Sequence, residues 1–291
     1  MPLIAVLLAT GPSAVTAETA AESVGPVLWQ PSMNVFRRYA TDNPESLFAF
    51  YSDVLGFERL TAFDVGGPTS VMRIRAGATE LKFTGRTPGR EYAPGGIDNA
   101  TGLRLWTFFF SDQAALSKRF TDHGYAAPEF EPLGGTGQLS AVVKDPEGEL
   151  VQLIITGDPA GTTYDEVEIG LTVSDLDESR AFYRDFVGLE ELEPVYDPIF
   201  NTMKYPYRHG ATTISLRSFD GDLATDTGTG GIQYVVSDVE FVDRLAKERS
   251  IAIDQPLSEL RGFALRTIWL DDPDGITNYF AQTGQSGAAA R

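Results

Sequence analysis

Two histidines and no cysteine set narrow limits on the chemistry open to this chain of 291 residues. Without thiols there is no disulfide, zinc–thiolate site, iron–sulfur cluster or cysteine nucleophile. His123 falls at the end of a helical pattern just before Gly124, where an imidazole meets the last helix carbonyls. His209 lies in Tyr207-Arg208-His209-Gly210-Ala211, a turn between two strand-like runs, and is open to either a structural role or ligand contact. The glycine pairs Gly95-Gly96, Gly134-Gly135 and Gly230-Gly231 lack the spacing of a phosphate loop or dinucleotide fingerprint. Asp220-Gly221-Asp222 with Asp226 is calcium-like in composition, but lacks the loop pattern and its closing Glu. What remains is the chemistry of carboxylates, tyrosines and cationic side chains: acid–base transfer, or recognition of charge.

The balance of charge excludes whole classes of partner. A formal net charge of −18 and a pI near 4.4 argue against nucleic acid and anionic membrane surfaces, which require clustered Lys and Arg. Such acidity is ordinarily a solubility device. Apolar residues make up 42% of the chain, with 18 Phe and 11 Tyr, enough for a sizeable core. Leu3-Ile4-Ala5-Val6-Leu7-Leu8-Ala9 followed by Gly11-Pro12 and Val15-Thr16-Ala17 has the form of a signal peptide over residues 1–17, although no basic residue precedes the run. The expectation is a periplasmic or secreted protein, with a cytoplasmic one as the alternative. The run is too short to span a bilayer, and no other stretch resembles a span.

The elements that must position these groups come in two copies. Phe50-Tyr51-Ser52-Asp53-Val54-Leu55-Gly56-Phe57-Glu58 returns 132 positions later as Phe182-Tyr183-Arg184-Asp185-Phe186-Val187-Gly188-Leu189-Glu190. Asp145-Pro146-Glu147-Gly148 returns 127 positions later as Asp272-Pro273-Asp274-Gly275. A unit of this length is a whole domain. Each half reads as strand, helix, strands, twice over. Helices are expected from Pro44 to Tyr51, from Gln113 to His123, from Leu176 to Phe186 and from Val239 to Ser250. The Asp-Pro-acidic-Gly phrase is a hairpin turn, with Pro setting φ and Gly accepting the left-handed conformation. The boundaries that follow are a flexible lead over 18–32, domains over 33–156 and 166–283, a linker over 157–165 and a disordered tail over 284–291.

The two phrases, in register in both halves, resemble those of the vicinal-oxygen-chelate superfamily, which includes glyoxalase I, bleomycin- and fosfomycin-resistance proteins and extradiol dioxygenases. The resemblance implies an α+β fold: two tandem glyoxalase-like domains, each of paired βαβββ modules forming an open eight-stranded cup. Metal-dependent members draw His and Glu ligands from the first, fourth, fifth and eighth strands of a domain. Those positions fall here on Phe36, Glu80, Leu105 and Gln152, and on Glu168, Ser215, Gly231 and Tyr279. One carboxylate per domain and no histidine imply that the metal site is lost, so no cofactor is expected and a divalent metal is disfavoured.

Strand alternation then fills the cups. The first is expected to hold Arg38, Glu80, Lys82, Thr107 and Gln152, with Arg73 or Arg75 alongside. The second is expected to hold Glu168, Thr172, Ser215, Arg217, Gln233 and Tyr279, with His209 near a rim. Cations on a concave face of so acidic a chain suit a small, anionic organic ligand, unless Glu80 and Arg38 simply pair. Glu168 and Tyr279 form a base and acid pair if burial raises the carboxylate, unless Glu168 pairs with Arg217. Two functions follow: a binding protein similar to the bleomycin-resistance proteins, or a lyase, isomerase or dioxygenase-like enzyme with acid–base chemistry or unorthodox metal ligation.

Overall fold

A computed structural model describes residues 22–64, 70–260 and 263–285. It contains four βαβββ modules in an α+β fold. The first module is β1 (Asn34–Tyr39), α1 (Pro44–Ala49), β2 (Glu58–Asp64), β3 (Ser70–Ala76) and β4 (Thr79–Gly85). The second is β5 (Gly102–Phe110), α2 (Gln113–Asp122), β6 (Glu131–Pro132), β7 (Leu139–Lys144) and β8 (Leu150–Ile155). The third is β9 (Val167–Thr172), α3 (Leu176–Arg180), β10 (Glu190–Glu191), β11 (Val195–Asp197), β12 (Thr202–His209) and β13 (Thr212–Arg217). The fourth is β14 (Gly230–Val235), α4 (Val239–Glu248), β15 (Ala252–Leu260), β16 (Leu265–Asp271) and β17 (Thr277–Thr283). Asp112, Asp175 and Asp238 cap α2, α3 and α4 by accepting the N–H three residues on.

The cups do not follow the halves of the sequence. One eight-stranded sheet runs β15-β16-β17-β14-β1-β4-β3-β2, joining the first module to the fourth. The other runs β10-β12-β13-β9-β5-β8-β7-β6, with β11 on β12, joining the second to the third. The expectation that each half builds its own cup is corrected here. Every module offers the same open edge, its first strand, so a repeat in sequence is silent on which edges meet. Packing at the seams decides. In the β1–β14 seam Phe36 lies across Gly231, where a Cβ would come within 2.4 Å of the ring. In the β5–β9 seam a Cβ on Gly170 would come within 2.8 Å of Leu105.

The recurrent phrases are the joints between these sheets. Both Phe-Tyr segments are wide π-helical turns, Phe50–Val54 and Ala181–Val187, that continue α1 and α3. Leu55 N–H reaches back to the Phe50 carbonyl at 3.0 Å, and Gly56 ends the turn at φ 87°. The widened turn aims Tyr51 and Tyr183 into the core, where both are fully buried. Tyr51 donates to Asp145 Oδ2 at 2.9 Å, and Tyr183 donates to Asp272 Oδ2 at 2.8 Å. The other oxygen of each Asp accepts backbone N–H groups of its own turn, from Glu147 and Glu149 and from Asp274 and Ile276. The acidic third residue of each phrase reaches the neighbouring module. Glu147 accepts from Ala40 and Thr41 N–H, and Asp274 accepts from Ser174 N–H. Latches therefore tie modules one to two and three to four, while sheets tie one to four and two to three.

Two smaller expectations are also revised. The lead from Glu22 onward is packed rather than flexible. Val24 is fully buried and donates to Phe186 O at 2.9 Å, and Trp29 donates to Val235 O at 2.8 Å. Residues 1–17, the expected signal peptide, and 286–291 of the tail lie outside the described residues. Strand β15 was hidden by its polarity and by Pro256, which an edge strand tolerates.

The two latches differ in one partner. Asp145 is also ion-paired with buried Arg37, whereas Asp272 has no cationic partner among the described residues. Burial accordingly pushes Asp272 up to about 7, with Asp274 raising it further and Tyr183 and backbone N–H groups opposing. The facing phenols of Tyr183 and Tyr234 are held well above their ordinary value by burial. Because Asp272 binds its proton more tightly folded than unfolded, its contribution to stability falls as pH rises from about 4 to about 7. Asp272→Asn is expected to remove that decline, at most about 4 kcal/mol, in urea unfolding followed across this pH range. Arg37→Met leaves Asp145 buried and uncompensated, and is expected to cost about 3–5 kcal/mol at neutral pH in the same measurement.

Candidate functional site

The cup between modules one and four encloses a cavity of about 940 Å³. Alternate residues of its central strands face inward: Asn34, Phe36 and Arg38 on β1, Glu80, Lys82 and Thr84 on β4, Gln233 and Val235 on β14, and Tyr279 on β17. Cross-strand register lines up Trp269, Tyr279, Gln233 and Asn34 in one row, and Glu80 N–H donates to Asn34 Oδ1 at 3.1 Å to extend it. The inward parity of Phe36 and Gly231 holds, but the row containing Glu80 and Tyr279 is completed by Asn34 and Gln233, two residues away. Anchoring on the Phe-Tyr phrase alone missed that offset.

This floor is wired together from its own side chains. Gln233 Oε1 accepts from Lys82 Nζ and from Asn34 Nδ2, the latter at 3.3 Å. Lys82 Nζ stands 3.5 Å from Glu80 Oε1. Arg73 on β3 holds Glu80 with two hydrogen bonds, the Nη2–Oε2 one at 2.9 Å. Burial would push Glu80 up, but Arg73 and Lys82 hold it below the ordinary carboxylate range. Lys82 is lowered by burial, against the pull of Glu80. Arg38 is lowered by burial too. Its guanidinium donates to Gly228 O at 2.9 Å and stacks over the Phe36 ring at 4.9 Å, not against Glu80 as the pairing alternative supposed.

The opposite wall is aromatic. Trp269 meets Tyr279 with ring centroids 5.0 Å apart and Phe36 at 6.4 Å. Burial holds the Tyr279 phenol well above its ordinary value. Phe63 on β2 meets Phe263 beyond β15 at 6.0 Å, which brings the two edges of the open sheet together. Arg90, in the loop after β4, pairs with Asp254 on β15 and lies 3.4 Å from Asp271 on β16.

The other cup carries a buried polar network. Thr107 donates to Gln152 Oε1 at 3.0 Å, and Gln152 donates to Ser140 at 3.0 Å, all buried. Glu168 takes two hydrogen bonds from Lys204 Nζ at 2.8 Å and has Arg217 at 3.8 Å. Arg217 is fully buried and donates to Asp197 at 2.8 Å. Burial would raise Glu168, yet Lys204 and Arg217 hold it below the ordinary range. Ser215 is buried beside this network on β13. Lys204 and Asp197 come from the β11–β12 hairpin of the same module, whose place beside Glu168 and Arg217 no local pattern marked.

The expected residues are thus redistributed. Arg38, Glu80, Lys82, Gln233 and Tyr279 share the cup of modules one and four, while Thr107, Gln152, Glu168, Ser215 and Arg217 share that of modules two and three. Glu168 and Tyr279 lie in different sheets and do not form an acid–base pair. His209 contacts the Gln30 carbonyl at 2.5 Å, at the end of β12. The donor set of the open cup does not fit a divalent ion, because its single floor carboxylate already faces Arg73 and Lys82. Among the described residues no group of three or more His, Asp or Glu is placed to hold a metal. No described helix is long and apolar enough to cross a membrane.

Comparison with known proteins agrees with this architecture. The model of the Glyoxalase/Bleomycin resistance protein/Dioxygenase superfamily matches residues 34–153 and 166–280. The structure is similar to glyoxalase I from Zea mays, at 19% identity and a TM-score of 0.66, over 89% of this chain and 94% of that one. It is also similar to a putative dioxygenase from Bacillus subtilis, at 16% identity and a TM-score of 0.57, over 91% of this chain and 87% of that one. No curated protein matches. At these identities the likeness concerns the fold.

Arg217→Met leaves Asp197 buried without its cation and Glu168 with Lys204 alone, and is expected to cost about 3–5 kcal/mol. Lys204→Met, at a partly exposed position, is expected to cost less, and chemical denaturation of both variants checks the order.

Proposed function

Because the chain belongs to the Glyoxalase/Bleomycin resistance protein/Dioxygenase superfamily, we propose that it binds a small organic molecule in the cup between modules one and four, without a divalent metal. The observation that carries this reading is the cavity of about 940 Å³ in that cup, with Lys82, Gln233 and Asn34 on its floor and Trp269 and Tyr279 on its wall, whereas the expected residues of the other cup bond to one another. That volume is in the range of small-molecule sites. Lys82, set between Gln233 and Glu80, supplies from the chain itself the positive charge that a metal brings to such a floor. The binding protein and not the enzyme is the first reading, since Glu80 is held down by Arg73 and is a weak base.

The Tyr279 phenol lines the cavity beside Trp269, and because burial raises it above its ordinary value it serves a bound molecule as a hydrogen-bond donor and not as a proton-transferring acid. The apolar run from Leu3 to Ala9 and the small residues Val15-Thr16-Ala17 support export as part of this proposal; N-terminal sequencing of the native protein tests it.

Screening small molecules for thermal stabilisation of the full chain tests the function. Stabilising compounds are expected to act equally with and without chelator, to lose about tenfold or more in affinity in Trp269→Ala, and to bind Glu168→Gln unchanged. Stabilisation that requires added metal, or that is lost in Glu168→Gln at unchanged fold, overturns the reading.

A further inference from the structure

The open cup is electrically and chemically two-sided, and the division follows the modules. The first module contributes Arg38, Arg73, Lys82 and, in the following loop, Arg90; the carboxylates on the lining are Glu80 and Asp254. Arg73 is committed to Glu80 and Arg90 to Asp254. Asp271, outside the lining and 3.4 Å from Arg90, takes up one further charge, so the surplus is one positive charge shared by Arg38 and Lys82 on the concave face of a chain with net charge −18. Arg38 is 5% exposed and its guanidinium donates to a neutral carbonyl. Lys82 meets a neutral amide, with Glu80 out at 3.5 Å and already held by Arg73. A buried cation without a full counter-charge is costly, and an anion arriving from solution relieves that cost.

The fourth module contributes the complementary half. Trp269 and Tyr279 form a continuous aromatic wall, and Phe36 bridges it to the cations by lying over Gly231 with Arg38 stacked on its ring. Aromatic faces of this kind take a flat ring in offset or edge contact. Resting on the reading that this cup is a binding site, we propose that its ligand is a planar aromatic acid: the ring lies against Trp269, Tyr279 and Phe36, and the anionic group lies against Lys82 and Arg38. Lys82 and Arg38 select for charge, and Trp269 selects for the ring.

Calorimetric titration of the full chain with naphthoate, naphthamide and octanoate separates the two selectivities. Naphthoate is expected to bind about tenfold or more tightly than either of the others, a difference of about 1.4 kcal/mol. Arg38→Gln and Lys82→Met are each expected to reduce the preference of acid over amide, with circular dichroism confirming the fold. Trp269→Ala is expected to erase the preference of naphthoate over octanoate while leaving the preference for acid intact. Quenching of indole fluorescence by naphthoate, lost in Trp269→Ala, locates the site. Equal binding of naphthamide and naphthoate, or an unchanged acid preference in both cation variants, overturns the assignment while leaving the cup a binding site. If neither these compounds nor any neutral or cationic compound of the thermal screen binds in a manner sensitive to Trp269→Ala, both the assignment and the binding reading fall.

Discussion

A buried carboxylate at the first position of a hairpin turn is the joint on which this molecule depends. Asp145 and Asp272 each use one oxygen to hold the turn and the other to receive a tyrosine hydroxyl from a helix of the preceding module. A buried acceptor of this kind must be satisfied, so removing either Tyr or Asp leaves a polar group of the other unpaired in the core. With the acidic third turn residue catching the loop after the preceding first strand, each latch fixes one module against the next. The sheets make the other two connections, closing a cycle of four modules.

The two cups use their inward-facing side chains differently. The second and third modules meet across Thr107 and Glu168, whose neighbours bond to one another in the interior. Arg217, Asp197, Lys204 and Glu168 compensate charge inside that cup. The first and fourth modules meet across Phe36 and Gly231, where large aromatic residues stand opposite cations rather than carboxylates.

Much of this was legible before any coordinates. The doubled phrases and the strand and helix patterns around them gave four modules, their helices and the α+β class, because helix starts, strand alternation and hairpin turns are local patterns. The π-turns and the Tyr–Asp latches, which join residues 94 and 89 positions apart, were not legible. Strand alternation placed Arg38, Glu80 and Lys82 on one concave face, since parity within a strand is a local property. The floor offset from Phe36 to Asn34 was not legible, because counting from a helix phrase carries no information about cross-strand register. Strand β15 escaped because an edge strand that is polar on its exposed positions lacks an apolar signature.

Sequence alone determined the scaffold, the strand faces and the poverty of metal ligands, each set by residue type and short-range spacing. Only the tertiary structure decided which residues share a site. Gln233 and Tyr279 lie against Glu80 and Lys82 from positions 151 or more residues away, while Thr107 and Gln152, nearer in sequence, face the other cup. The physical reason is that all four modules expose equivalent first-strand edges. Their pairing is settled by side-chain volume and charge at the seams, quantities that belong to two surfaces at once and to neither segment by itself.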